Sequence, residues 1–466
     1  MLDRDNTATR RSSPVDSETR DIEPSSGRGT SWSAAELVAV GLLLAACSAL
    51  WNYLGALLHP DALTYSHAFF GQDIQPTYYA AQQILRGHGP AMFDPTVVHG
   101  YTYSPFFAWL FTPLALLPWA AAANIWYVLC SLWLWLAIVM MVQLFEAVLP
   151  NPLCGPLVAG RPLIPILAAV WLGIPPSVQA TLDFGQVDYL ILALLTGAVA
   201  CLLRRRDGLA GVLIVLAALL KITPIGLLLV FIVFRRWRAL VGGLLTLLAC
   251  VVVTSLDPRV GIASWVRMSQ GVNANLSFIF AQYANESLGS IFAHVLALVH
   301  HHVSAQRAEY VGILIAAILF LAALALGLRR DIRESPRWII AAVAGIGALL
   351  LASPLNWDHT YVVAAIPAAV LLGLTATRWL ATHHVGWRDI VGVLSAAILA
   401  AWPMTAALSV AQSDPLKQRI SGIVLLSARP AALLAITCLL LFELWHGGQW
   451  ESELSVDPAP TAPDRG

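Results

Sequence analysis

Apolar runs near 20 residues long, almost free of charge, recur along this chain, and short arginine-rich stretches separate them. A run of that length matches what an α-helix needs to cross the hydrocarbon layer of a bilayer. Backbone N–H and C=O groups find no water there, so a spanning chain of this kind satisfies them as helices. Charged residues make up 12% of the 466, against about a quarter in soluble proteins. The sequence therefore predicts an all-α polytopic membrane protein.

Candidate spans fall at about 34–58, 119–148, 162–175, 187–203, 208–221, 224–234, 239–256, 310–328, 338–352, 359–377, 389–411 and 428–446, roughly twelve in all. Several have only 14 or 15 residues, about 21 Å at 1.5 Å per residue, and need a locally thinned bilayer or burial within the bundle. Residues 1–32 are rich in Ser, Thr, Pro and both charge signs. So little apolar surface does not offset the entropy of ordering, which predicts a disordered cytoplasmic tail. The run from Ala34 to Leu58 is too long for a signal-peptide core and lacks a short basic leader, so it reads as a retained first span. Residues 447–466 are again polar and Pro-rich and predict a second cytoplasmic tail, which leaves 33–446 as one transmembrane domain. Cys47, Cys130, Cys154, Cys201, Cys250 and Cys438 lie almost all in apolar runs without C-x-x-C spacing, and read as small buried hydrophobes.

Residues 102–118 are apolar but interrupted by Pro105, Pro113 and Pro118. Proline breaks a helix interior, so this stretch is expected as a juxtamembrane or half-inserted segment. The arginines test that assignment, because cytoplasmic connections carry an excess of Lys and Arg. With the N-terminus inside, 19 of the 27 Lys+Arg fall on cytoplasmic segments, among them Arg204–Arg206, Arg235, Arg236, Arg238, Arg329, Arg330, Arg333, Arg337, Arg378 and Arg388. Counting 102–118 as a full span inverts every later loop and puts most arginines outside. The polar connections then gather on the extracytoplasmic side, where a site is expected.

The first of these connections carries Asp73 just before Tyr78-Tyr79-Ala80-Ala81-Gln82-Gln83-Ile84-Leu85, an amphipathic stretch that looks like an interfacial helix. Asp73 has three readings: a solvated loop acid, a helix cap, or a general base that takes a proton from a sugar hydroxyl. Leu182-Asp183-Phe184-Gly185-Gln186-Val187-Asp188 opens another span; Asp183 suits a cap, while the Gln186 amide suits a cap-adjacent turn or a ligand hydroxyl. Lys221 stands in Leu219-Leu220-Lys221-Ile222-Thr223-Pro224, where Pro224 splits a long apolar run. An ammonium among so much apolar sequence either snorkels or meets an anion such as phosphate. Ser269 to Asn275 and Asn285-Glu286-Ser287-Leu288-Gly289 serve turns or a carbohydrate-lined cleft. His300-His301-His302 has no acidic or cysteine partner at ligand spacing, so no metal is expected. Asn356-Trp357-Asp358-His359-Thr360-Tyr361 mixes aromatic and ionisable groups at a span entry. No P-loop, dinucleotide fingerprint, zincin or nucleophile-elbow motif occurs, and no cofactor or nucleic-acid partner is expected.

The ordered set Asp73, Tyr78-Tyr79-Ala80-Ala81, Arg86-Gly87, Phe93-Asp94-Pro95, Tyr103-Ser104-Pro105, Pro113 to Pro118, Gly185 to Leu190, Lys221-Ile222-Thr223-Pro224, Arg235-Arg236-Trp237-Arg238, Asn285 to Leu288 and Ser353-Pro354 to His359 resembles glycosyltransferase family 87. These are bacterial GT-C fold enzymes that use polyprenyl-phosphate sugars, among them actinobacterial α-1,2-mannosyltransferases and arabinofuranosyltransferases. The resemblance covers about residues 34–445. It implies a GT-C bundle of about twelve transmembrane helices with extracytoplasmic juxtamembrane helices, a lipid-linked donor, and the first-loop aspartate, by position Asp73, as catalytic base. The chain departs from the family at Glu286, where Gln is usual, and at Asp358-His359, where paired histidines are usual.

The expected activity is inverting transfer of a sugar, mannose first and arabinofuranose second, from a polyprenyl monophosphate to a hydroxyl of a glycolipid or glycan. Asp73 acts as base, Lys221 helps hold the phosphate, and Tyr78, Tyr103, Gln186, Asn285, Ser287, Asn356, Trp357 and His359 bind the substrates. The expected setting is the plasma membrane of a bacterium among its lipids, with both termini cytoplasmic and the site extracytoplasmic. The rivals are a secondary transporter or lipid flippase and a non-catalytic assembly partner. A transporter is expected to carry mid-span ionisable residues and matched halves, yet Glu36, Glu146 and Glu443 lie near span ends and no internal repeat is evident.

Overall fold

Proline, glycine and arginine set where the apolar runs break. The computed structural model describes residues 73–98, 100–148, 185–268, 287–298, 305–333, 337–353, 358–382, 385–401 and 415–446. The expected tails 1–32 and 447–466, the spans 34–58 and 162–175, Asp183 and Ser269 to Asn275 lie outside the described residues. So do Asn285, Glu286, the histidine tract 300–302, Asn356, Trp357 and the side chain of His359.

The described residues are all helix, turn and loop. Helix α1 (Gln75–Leu85) is followed by a 3-10 turn (Gly89–Phe93) and by two short helices, α2 (Pro105–Leu110) and α3 (Thr112–Ala115). Then come α4 (Trp119–Val148), α5 (Asp188–Leu203), α6 (Asp207–Leu220), a 3-10 turn (Thr223–Gly226), α7 (Leu227–Val233) and α8 (Trp237–Leu256). The remainder is α9 (Leu288–Leu298), α10 (Ala305–Gly327), α11 (Arg330–Arg333), α12 (Trp338–Ala352), a 3-10 turn (Asp358–Ala364), α13 (Ala365–Thr382), α14 (Trp387–Ala401) and α15 (Pro415–His446). The stretch 102–118 forms α2 and α3, each opened by a proline in its first turn, where the missing N–H does no harm.

Length sorts the helices into two roles. Among the described residues, four are long and apolar enough to cross a membrane, at Trp119–Met141, Trp237–Leu256, Arg307–Gly327 and Ser427–His446. Of these, α8 and α10 expose large apolar residues, including Val241, Leu244, Leu245 and Leu248 on one and Ile313, Leu314 and Ile318 on the other. The shorter apolar helices α5 and α12 are instead buried, and α12 is covered on all sides from Trp338 to Ala348. A helix apolar all round belongs inside a bundle, so burial accommodates these short runs.

Helices α6 and α8 pack through Gly208, Gly211, Gly242 and Gly243, an approach close enough that a Cβ on Gly211 would sit 1.8 Å from the Ala239 carbonyl oxygen. The replacement Gly211→Ala is therefore expected to destabilise the protein by about 3 kcal/mol, because two backbones must separate. Gly208→Ala is the control, since its Cβ meets nothing nearer than 3.8 Å. Thermal unfolding of both variants in detergent checks this; equal melting temperatures refute it.

The two ends of the bundle differ in chemistry. At one end Arg236 pairs with Asp207 at 3.6 Å and lies 4.3 Å over the Trp338 ring. There too Arg378 bridges Asp389 and Glu443, Arg329 donates to the Trp445 carbonyl, and Arg388 stacks 3.9 Å over Phe442. The opposite end carries α1 to α3, the opening of α5, the end of α6 and the Asp358–Ala364 turn. Hydrogen bonds fasten the segment that holds α1 to α3 there. Ser104 caps α2 and donates to the Leu219 carbonyl at 2.5 Å, one of the carbonyls that the end of α6 leaves unpaired. Trp109 donates to Asp257 at 3.0 Å, and the Gly89 N–H donates to the Arg259 carbonyl at 3.0 Å.

Candidate functional site

Asp73 does not cap α1: the capping position is Ile74, and no side chain bonds the first turn. Its carboxylate instead accepts a short hydrogen bond from the Gln186 side-chain amide, 113 residues away in sequence. The other end of that amide accepts from the Tyr103 hydroxyl at 3.4 Å. Gln186 is placed by its neighbours. Gly185 adopts φ +66°, a conformation that glycine enters freely, and turns the chain into α5. The Trp126 indole donates to the Gly185 carbonyl at 2.7 Å, and the Cys130 thiol reaches the Gln186 carbonyl at 3.7 Å. Tyr101, Tyr103, Phe107, Trp126 and Trp133 form a ladder of edge-on and tilted aromatic contacts that runs back from the cluster.

Burial pushes the Asp73 carboxyl up to about 6; the Gln186 bond and the Lys221 charge oppose the rise, and the Asp188 charge adds to it. Burial likewise raises the Tyr103 hydroxyl well above its ordinary range, and the charges of Asp73 and Asp188 reinforce the effect. Tyr103 is thus a hydrogen-bond donor at any working pH, and Asp73 is an acid that exchanges its proton near neutrality.

Lys221 ends α6 in extended conformation. Its ammonium lies 2.8 and 3.1 Å from the two carboxylate oxygens of Asp188 and 3.3 Å from the Thr360 hydroxyl. The Asp188 side chain is 1% exposed and that of Lys221 27%, so the acid is enclosed while the cation reaches the surface of a cleft. That cleft holds about 420 Å³ of empty space including its mouth, with Lys221, Asp188, Thr360 and Ser353 at one end and apolar walls from α5, α7 and α12.

The expected site residues divide accordingly. Asp73, Tyr103 and Gln186 meet in one cluster, and Lys221 belongs to an adjoining ion pair. Tyr78 is buried with its hydroxyl on the Leu117 carbonyl at 2.8 Å and its ring against Trp119, so it fastens α1 to the start of α4. Ser287 is buried and accepts from the Ser290 N–H at 3.1 Å, which closes the first turn of α9. Sequence reading assigns no role to Asp188 or Thr360. The available signal was an acid at the first position of an apolar run facing, across the fold, a lysine at the last position of another. Among the described residues no group of three His, Cys, Asp or Glu could hold a metal ion.

The sequence profile described as glycosyltransferase family 87 matches residues 101–354, more than half of the chain. The match includes Tyr103, Gln186, Asp188 and Lys221, and begins after Asp73. A polyprenol-phosphate-mannose-dependent alpha-(1-2)-phosphatidylinositol pentamannoside mannosyltransferase of Mycolicibacterium smegmatis is 28% identical over 293 residues, 61% of this chain and 65% of that protein. The alignment therefore spans just under two thirds of the relative's length. No solved structure matches the chain.

Proposed function

The chain belongs to glycosyltransferase family 87, and from that premise we propose that it moves a sugar, mannose in the first instance, from a polyprenyl monophosphate to a hydroxyl of a glycolipid or glycan. The observation that carries the proposal is the Asp73–Gln186–Tyr103 cluster beside the Lys221–Asp188 pair. It sets a carboxylate of pKa about 6 close to a cation at the mouth of an apolar cleft. The donor named for the mycobacterial relative supports the same choice of substrate.

In the proposed step, Asp73 accepts the proton of the acceptor hydroxyl, and that oxygen attacks the anomeric carbon. The bond from this carbon to the phosphate oxygen breaks, and its electron pair leaves with the polyprenyl monophosphate, inverting the anomeric centre. A base whose pKa lies near the working pH combines availability with proton affinity. Gln186 holds the carboxylate in place, which keeps the attack geometry from being left to chance. The bundle is a GT-C arrangement of about twelve spans in the plasma membrane of a bacterium. Its arginine end is cytoplasmic together with both termini, and the Asp73 end is extracytoplasmic, as the positive-inside bias favours.

The test is direct. Full-length protein in nanodiscs receives polyprenyl-phosphate mannose or polyprenyl-phosphate arabinofuranose together with lipid acceptors from a bacterial membrane extract, and products are read by mass spectrometry. Mannosyl transfer is expected; transfer from neither donor refutes the proposal.

The logarithm of kcat/KM is expected to fall below about pH 6, where Asp73 takes up its proton and ceases to be a base. Gln186→Ala removes the bond that opposes the raised pKa, so the limb should move to higher pH. A limb unmoved in that variant, measured across pH 5 to 8, contradicts the assignment.

A further inference from the structure

The arginine end of the bundle holds one kind of turn built twice. Helix α5 runs into Arg204-Arg205-Arg206 before Asp207 opens α6, and α7 runs through Phe234 into Arg235-Arg236 before Trp237-Arg238 opens α8. In the first turn the Arg205 N–H donates to the Leu202 carbonyl at 3.0 Å and the Arg206 N–H to the Cys201 carbonyl at 2.8 Å. In the second, Arg235 and Arg236 donate in the same pattern to Ile232 and Phe231, at 3.1 and 2.8 Å. This double closure puts one residue in the left-handed region, a place usually taken by glycine. Arginine takes it both times, Arg205 at φ +57° and Arg235 at φ +55°.

The two turns lie side by side. Arg236 reaches Asp207 across them at 3.6 Å, and a Cβ on Gly242 would sit 2.4 Å from the Gly208 carbonyl oxygen. Six arginines thus face one acid, Asp207, in the paired turns. All but Arg236 are exposed, and Trp237 beside them is 56% exposed. From Trp237 the exposed apolar face of α8 continues through Val241, Leu244, Leu245 and Leu248. A general excess of arginine at one end follows from the bias that orients membrane helices. That bias does not require the cations to gather on two adjacent turns, or to take a backbone conformation that costs a side chain energy.

We propose that the paired turns bind the headgroup of a lipid that carries two phosphates, a diphosphatidylglycerol, with its acyl chains along the exposed face of α8. Arginines gathered this closely repel one another, and a polyanion removes the repulsion. The guanidinium fork matches phosphate oxygens, and two adjacent clusters match two phosphates on one headgroup. Trp237 suits the headgroup level, where an indole meets apolar and polar surroundings together. A soluble polyanion would use the arginines and leave Trp237 and the α8 face without a part, so the lipid fits better. This site lies at the end of the bundle opposite the Asp73 cluster and does not depend on the sugar-transfer reading.

The test uses full-length protein, delipidated in detergent and titrated separately with cardiolipin, phosphatidylglycerol at equal phosphate, inorganic pyrophosphate and polyglutamate. Binding is read by native mass spectrometry and by the shift in melting temperature. Cardiolipin is expected to bind and to raise the melting temperature. Arg205→Gly combined with Arg235→Gly is expected to weaken cardiolipin binding about 25-fold, roughly fivefold for each arginine withdrawn from an anionic lipid. Without lipid the same variant should melt no lower than the parent, since glycine enters the left-handed region freely. Arg205→Asn with Arg235→Asn, which also tolerates that region, serves where the glycine variant does not fold. Cardiolipin affinity unchanged in a folded variant overturns the proposal, as does phosphatidylglycerol that binds as tightly, phosphate for phosphate. Pyrophosphate or polyglutamate binding as tightly as cardiolipin overturns it too, because neither brings a lipid chain.

Discussion

Replacing Asp73 by Asn is expected to lower kcat by roughly 10²- to 10⁴-fold, the usual range for loss of a general base, while the protein stays folded. The side-chain amide keeps an oxygen that can accept from Gln186, so the cluster retains its shape. What disappears is proton affinity, and with it the fall in kcat/KM below about pH 6. The variant is also isosteric and removes a buried charge, which leaves stability unchanged or slightly improved. Sugar transfer and thermal unfolding measured on one preparation separate the two effects. Turnover near that of the parent protein, with intact folding, removes Asp73 from the mechanism and leaves the polar cluster as a helix anchor. A variant that loses activity only because it unfolds argues for the anchor as well.

The helices are legible in the sequence wherever an apolar run has sharp edges. The run 338–352 reads directly as α12, bounded by Arg337 and by Ser353-Pro354. The prolines of 102–118 likewise announce the short helices α2 and α3, because a missing N–H and a fixed φ act locally. Their arginine boundaries gather the cationic residues at one end of the bundle, a pattern already present in the spacing. The site is legible only as a set of unusual residues. Asp73 reads equally as a cap, since what precedes a helix is local while its true partner is 113 residues on. Lys221 reads as a phosphate contact or a snorkelling ammonium, since neither Asp188, 33 residues before it, nor Thr360, 139 after it, is marked as its neighbour by any periodicity. Helix register decides which side chains meet at the ends of α5 and α6, and register is a property of packing that hydropathy does not encode.

That pairing changes what should follow from removing Lys221. A free cation could be truncated at little cost to folding, but Lys221→Ala removes the ammonium that lies against the enclosed Asp188 carboxylate. Breaking a buried pair from one side costs about 3 kcal/mol, because the remaining charge loses its counter-ion. The single variant is therefore expected to lose stability and donor affinity together. Lys221→Ala combined with Asp188→Asn removes both charges and should recover most of the stability, as a double-mutant cycle would report. Donor affinity should not recover, since the ammonium that meets the phosphate is still absent. Unfolding in detergent and binding of polyprenyl phosphate, measured on all three variants, distinguish the alternatives. If the double variant regains both properties, Lys221 serves only to neutralise Asp188 and the phosphate is held elsewhere. If the single variant is as stable as the parent, Asp188 takes up a proton when its partner leaves, and the pair carries no structural weight. Recovery of stability without recovery of binding assigns Lys221 two separable duties, one toward Asp188 and one toward the donor.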